Sequence, residues 1–294
     1  MAIHELTLSP FLTGLRFGEA PRWHDGRLWL SDQTNHRIHS VGIASDGQAD
    51  LRTEHELDFH PSGLGWLPNG TLLVVSMLDH RLMRATPDGG FEVVAELAQY
   101  CGGKLNDMIV DGAGHAFIGN IGFDEANFDP EDALRKTVLV RVDPDGSHRV
   151  VADELACPNG MGILEDGRTL IVGQSASPEI LAFDIDEGGD LSGRRVYATL
   201  PGDFGPDGMC LDAEGGVWCA QPTGQDFVRV LPGGGVTDRA DTGGRPAIAC
   251  VLGGEDRRTL FAITCWTMSH AESLSKLGGT IETARVRVPG AGRP

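Results

Sequence analysis

The chain has 294 residues, of which 40% are hydrophobic and 22% charged, the proportions of an ordinary globular protein long enough for a large core. Its formal charge of −18, from 24 basic and 42 acidic residues, repels phosphate backbones and anionic lipid, so nucleic acid is excluded as a partner. The same field favours cations, without locating a site for one.

The N-terminus lacks the basic-then-apolar order of a signal peptide. No apolar stretch approaches the roughly 20 residues that span a bilayer. A cytoplasmic protein with no membrane partner is therefore expected. The six cysteines, at 101, 157, 210, 219, 250 and 265, show no CxxC spacing and read as reduced thiols rather than disulfides or zinc ligands. The 41 glycines follow no G-x-y period, which points to many tight turns.

Six internal repeats follow in chain order. They open at Gly18 (GEAPRWHDGRLWLSD), Pro61 (PSGLGWLPNGTLLVVS), Leu105 (LNDMIVDGAGHAFIGN), Pro158 (PNGMGILEDGRTLIVG), Pro206 (PDGMCLDAEGGVWCAQ) and Arg245 (RPAIACVLGGEDRRTLFAIT). Each centres on a Gly/Asp/Asn-rich turn between two apolar runs, the signature of a β-hairpin. A third strand follows most hairpins (HRLMRATP, TVLVRVDP, EILAFDID, DFVRVLPG), and a fourth comes next (FEVVAEL, HRVVADEL, RRVYATL). Four short strands per repeat is the unit of a propeller blade. The expected fold is an all-β, six-bladed β-propeller with four antiparallel strands per blade, a single domain over 1–294. Either the N-terminal HELTLS or the C-terminal TIETARVRV would close the ring.

Aligning the repeats puts Glu19, Ser62, Asn106, Asn159, Asp207 and Pro246 at one rank, with separations of 43, 44, 53, 48 and 39. The first strand of a blade lines the central channel, so these positions form a ring about the axis. Four carry side-chain oxygens: Glu19, Asn106, Asn159 and Asp207. Any one of the last three, alone, reads as a turn residue; their shared rank is the signal. Two carboxylates and two amide carbonyls make a hard site for one divalent metal ion. Calcium is expected, with Mg²⁺, Mn²⁺, Zn²⁺ and Fe²⁺ as alternatives.

The segments F-G-E-A-P-R-W (17–23), L-N-D-M-I-V-D (105–111), P-N-G-M (158–161) and P-D-G-M-C-L-D (206–212) resemble the regucalcin/gluconolactonase (senescence marker protein) family of six-bladed propellers. The resemblance spans essentially the whole chain. It implies that Glu19, Asn159 and Asp207 bind a divalent metal, that Asn106 completes the shell or contacts substrate, and that Asp207 is the catalytic base. The implied activity is hydrolysis of a small-molecule lactone, commonly a sugar lactone. Two departures bear on the substrate: Lys104 stands where many members carry arginine, and I-G-N-I-G-F-D, with Asn120, stands where some carry a substrate-binding glutamate. Lysine keeps the charge and loses the bidentate fork.

Propeller topology brings the second-to-third strand loops over the metal: 32–36, 76–80, 120–136, 174–179, 221–226 and 265–279. The two long ones carry Phe123, Phe128, Trp266, Met268 and His270, candidate walls of a pocket for a partly apolar lactone or ester. Lys104, Asn106, Asn120, Phe123, Trp266 and His270 are the candidate substrate-binding residues. In the expected reaction, water attacks a metal-polarised carbonyl with Asp207 taking its proton. No G-x-S-x-G nucleophile elbow competes. The alternatives are a phosphotriester or aryl-ester hydrolase on the same site, and a non-catalytic metal-binding interaction propeller. Oligomeric state is not legible.

Overall fold

The computed structural model describes residues 2–123, 136–202 and 205–292. Two strands, β1 (His4–Leu6) and β2 (Ser9–Leu15), precede the first blade. That blade is β3 (Gly18–His24), β4 (Arg27–Asp32), β5 (Arg37–Ile43) and β6 (Ala49–Glu56). The second is β7 (Pro61–Trp66), β8 (Leu72–Ser76), β9 (Arg81–Ala85) and β10 (Phe91–Glu96). The third is β11 (Leu105–Val110), β12 (Ala116–Asn120), β13 (Thr137–Val142) and β14 (His148–Leu155). The fourth is β15 (Pro158–Ile163), β16 (Thr169–Gln174), β17 (Glu179–Ile185) and β18 (Leu191–Thr199). The fifth is β19 (Met209–Leu211), β20 (Val217–Gln221), β21 (Asp226–Val230) and β22 (Val236–Asp241). The sixth takes β23 (Ala247–Gly253), β24 (Thr259–Thr264) and β25 (Gly279–Arg285) from the C-terminal end. One four-residue helix, α1 (His270–Ser273), lies between β24 and β25.

Among the described residues six sheets result, each built on four antiparallel strands, as the repeats predict. The ring closes through Ser9–Leu15: β2 pairs antiparallel with β25 as the outer strand of the sixth blade. Both ends of the chain therefore meet in one sheet, and neither terminal segment closes the ring alone. The HEL segment that sequence offered for closure instead pairs parallel with β22, making the fifth sheet five-stranded.

The hairpins form where the turns demand positive φ. In HDGR, Asp25 (φ 47°) and Gly26 (φ 74°) both sit in the left-handed region, which a two-residue hairpin turn requires. The apolar faces then pack blade on blade. Leu28, Leu30 and Val41 of the first blade meet Ile248, Val251, Phe261 and Ile263 of the sixth, all buried. The third and fourth blades share Ile109, Phe117, Leu139, Met161, Val172 and Leu181 in the same way. All six cysteines are free thiols. Among the described residues no helix is long and apolar enough to cross a membrane.

Candidate active site

The inner strands are regular below the axial rank and irregular at it. The pairing register shifts between Glu19 and Arg22 on β3, between Leu105 and Met108 on β11, and between Pro158 and Met161 on β15. Each shift bends the strand end and re-aims the side chain at that rank. Asp207 lies just before β19, its backbone tied by Asp207 N–H to Ala220 O (3.0 Å) and by Ala220 N–H to Gly208 O (3.0 Å).

A glycine follows the axial position in the second, fourth and fifth repeats (Gly63, Gly160 and Gly208), where it lets a neighbouring inner strand approach. A Cβ on Gly160 would lie 2.6 Å from the Met209 nitrogen and 2.8 Å from the Asp207 carbonyl oxygen. Ala20, the equivalent residue on β3, adopts φ 48° and gives its N–H to Glu19 Oε2 at 2.6 Å.

Glu19, Asn106, Asn159 and Asp207 all line one cavity of about 210 Å³ at this end of the channel. Each is between 7% and 9% exposed. Asn159 Nδ2 donates to Asp207 Oδ1 (2.6 Å) and to Ser175 Oγ (3.0 Å), and Asn106 Nδ2 donates to Pro158 O (3.4 Å). The amide nitrogens thus have protein partners, which leaves both amide oxygens as acceptors.

Glu19 holds its proton well above the usual carboxylate range, first because it is buried, then because Asp207 and Asp107 add negative charge nearby. The Ala20 N–H and the Arg22 guanidinium oppose the shift without cancelling it. The inner strands β3 and β11 are joined by a buried ion pair, Arg22 Nη2 to Asp107 Oδ1 at 2.6 Å. Arg22 also donates to Met108 O (2.6 Å) and Pro21 O (2.9 Å). Burial raises Asp107 while Arg22 pulls the other way.

The donor set fits a hard divalent cation. It offers oxygens only, and it holds two buried carboxylates whose mutual repulsion a cation would relieve. Among the described residues no group of three or more His, Cys, Asp or Glu forms a metal site. A site here depends on the two asparagines beside the carboxylates.

The substrate-binding candidates divide. Phe123 and His270 line the cavity. Lys104, just before β11, stands behind this wall with Nζ 3.2 Å from His270 Nδ1. Asn120 is fully buried in the third blade, its amide nitrogen on Val138 O (2.9 Å) and its oxygen accepting from the Thr137 hydroxyl. Trp266 packs against the sixth-blade core with Lys276 Nζ 4.0 Å over its ring. Neither Asn120 nor Trp266 lines the cavity. Phe128 lies outside the described residues.

All six second-to-third strand loops do reach the cavity, through Gln33, Met77, Ile121, Ser175, Thr223 and Met268 among others. Phe17, Cys157 and Gly205 arrive from the loops that lead into inner strands, which the loop argument from sequence did not consider. Phe17 is fixed by its N–H to Asp32 Oδ1 (2.8 Å) and by an edge-on ring contact with His270 at 4.7 Å.

Fold and site together define a six-bladed propeller with an oxygen-lined axial cavity. The chain belongs to the SMP-30/Gluconolactonase/LRE-like region family, which it matches over residues 17–266. It is 27% identical over 256 residues to pentonolactonase XacC of Haloferax volcanii, covering 86% of this chain and 82% of that protein. It is 25% identical over 283 residues to 6-deoxy-6-sulfogluconolactonase of Pseudomonas putida, covering 94% of each. The match to regucalcin of Danio rerio is 34% identical, over 62% of this chain and 61% of that protein. Among solved structures, a luciferin-regenerating enzyme superposes with a TM-score of 0.78 at 18% identity, covering 97% of both chains. A calcium-binding protein, regucalcin from Agrobacterium tumefaciens, gives 0.74 at 18% identity over the full length of both. At these identities the structural likeness speaks for the fold alone.

Proposed function

We propose that the protein is a divalent-cation-dependent lactonase that opens a lactone ring by addition of water. One observation carries the reading: two buried carboxylates and two amide oxygens converge in a cavity roofed by loops from every blade. The relatives named pentonolactonase and 6-deoxy-6-sulfogluconolactonase support the reaction class.

Glu19, Asn106, Asn159 and Asp207 would hold the ion. When bound, it supplies a Lewis acid for the lactone carbonyl and the charge that develops on it. Asp207 takes a proton from the attacking water as its oxygen bonds to the carbonyl carbon. The ring C–O bond then breaks, and the departing oxygen takes the proton back from Asp207 to give the open hydroxy acid. Asn159 orients Asp207 through the 2.6 Å hydrogen bond to Oδ1, itself held by Ser175, whose Oγ donates to Pro206 O at 2.9 Å.

The test separates base from ligand. Asp207→Asn is expected to lower kcat by at least about 100-fold, within the usual contribution of a general base, while retaining most of the bound metal. Glu19→Gln is expected to lose metal and activity together. Parallel loss of metal in both would make Asp207 a ligand only. Paraoxon and phenyl acetate assayed beside lactones distinguish the phosphotriester and aryl-ester readings.

A further inference from the structure

We infer that the substrate is a lactone bearing an alkyl or aryl substituent, not a polyhydroxylated sugar lactone; the inference rests on the lactonase reading. The cavity wall above the four oxygen donors is built from Phe17, Met77, Ile121, Phe123, Pro222 and Met268. These side chains come from the loops of four of the six blades and, with Phe17, from the loop leading into the first, so apolar surface flanks the reacting centre on several sides.

Among the described residues, the polar groups at the axial rank are largely engaged with one another. Asn159 gives its amide nitrogen to Asp207 and Ser175, Ser175 gives its hydroxyl to Pro206 O, and Asn106 gives its amide nitrogen to Pro158 O. Gln33 donates to Ser62 Oγ at 3.2 Å and leaves Oε1 without a hydrogen-bond partner. That oxygen is buried, so among the described lining residues His270 and Thr223 are the further side chains that can meet polar groups of a substrate, one or two of them and not a ring of hydroxyls. Each hydroxyl stripped of water and left unpaired weakens binding roughly 5- to 150-fold. Each methylene laid against the wall strengthens it about fourfold. The volume, about 210 Å³, falls below the roughly 300 Å³ where pockets for drug-sized ligands begin, so the fit is to one ring and a short substituent.

The pentonolactonase and sulfogluconolactonase among the relatives carry sugar-lactone names. The inference therefore separates this chain from them by substrate, and it can fail independently of the reaction class.

The experiment measures kcat/KM of the calcium- and manganese-loaded protein on γ-butyrolactone, γ-hexalactone, γ-octalactone, dihydrocoumarin, D-glucono-1,5-lactone and L-arabinono-1,4-lactone. Expected is a rise of about threefold to fourfold per methylene along the alkyl series, with the alkyl or aryl lactones at least about tenfold above both sugar lactones. Met268→Ser should flatten that rise, lowering the octalactone-to-butyrolactone ratio; Met268 is 45% exposed, so the replacement does not threaten folding. Sugar lactones turned over faster than the alkyl series would overturn the inference and leave the lactonase reading standing. If no lactone is opened, calorimetry with the inert alkyl δ-lactams decides. Affinity that grows with chain length would sink the lactonase reading and leave the preference for an alkyl or aryl ligand standing, and no such growth would sink both.

Discussion

Gly160 tests whether the close approach of neighbouring inner strands sets the axial geometry. In Gly160→Ala the new Cβ falls 2.6 Å from the Met209 nitrogen and 2.8 Å from the Asp207 carbonyl oxygen, where ordinary contact begins at 3.4 Å. The fifth blade's inner strand must therefore retreat by about 0.6–0.8 Å, carrying Asp207 away from Asn159 and stretching the Gly160 N–H bond to Asp207 O, already 3.3 Å. Forcing a methyl into a packed interface costs about 1–3 kcal/mol. The stiffer unfolded chain returns about 0.4–1 kcal/mol. A net loss of about 1–2 kcal/mol lowers Tm by roughly 2–8 °C in a chain of this size. Displacement of a ligand's support should weaken metal binding about 10- to 100-fold. Gly162→Ala is the control: two residues along the strand, its Cβ meets Leu211 Cγ at 2.6 Å, a side-chain clash away from the donors. It should lose similar stability and keep metal affinity within about threefold. Calorimetric titration with Ca²⁺ and Mn²⁺ on both variants, beside thermal melts, reads the result. Equal affinity loss in both, or none in Gly160→Ala, would refute the reasoning.

Removing one partner of the buried Arg22–Asp107 pair (2.6 Å) leaves an uncompensated charge, so Arg22→Met should cost about 3–5 kcal/mol in a urea melt. The double variant Arg22→Met/Asp107→Leu should recover part of it, and a single-variant cost below about 1 kcal/mol contradicts the burial argument. Deleting Ser9–Leu15 leaves β25 as an open edge. The truncated chain is expected to lose cooperative melting and to self-associate on a sizing column; a monomer with an unchanged melt would show the closure to be dispensable. Burial pushes the Cys101 thiol up to about 11. Its thiolate is thus scarce at neutral pH, and alkylation by iodoacetamide should accelerate about tenfold per pH unit from 7 to 10. A plateau below pH 9.5 would show an ordinary thiol.

The fold was legible because each repeat carries its own hairpin turn and the turns recur at one spacing. The axial rank was legible for the same reason: Glu19, Asn106, Asn159 and Asp207 share a position that packing alone does not dictate. What sequence could not supply was contact between distant strands. Nothing local pairs Arg22 with Asp107, 85 residues on, although each lies within one of the site motifs. Asn120 illustrates the opposite difficulty. Its place at a strand end beside the loop suggested the cavity, yet its amide bridges to the neighbouring strand through Val138 O and Thr137. Trp266 follows the same pattern, large and on a long loop but packed inward. Phe17 was missed because its place in the wall depends on Asp32, whose Oδ1 accepts the Phe17 N–H and whose neighbour Gln33 donates its N–H to Phe17 O at 2.9 Å.

The central claim is that lactone opening depends on a cation held by Glu19, Asn106, Asn159 and Asp207. It is tested most directly by pH-stat hydrolysis of the lactone panel with protein stripped by a chelator, then reloaded with one divalent metal at a time. The stripped protein should lose turnover and regain it at one equivalent of metal. Full turnover in metal-free protein would contradict the account.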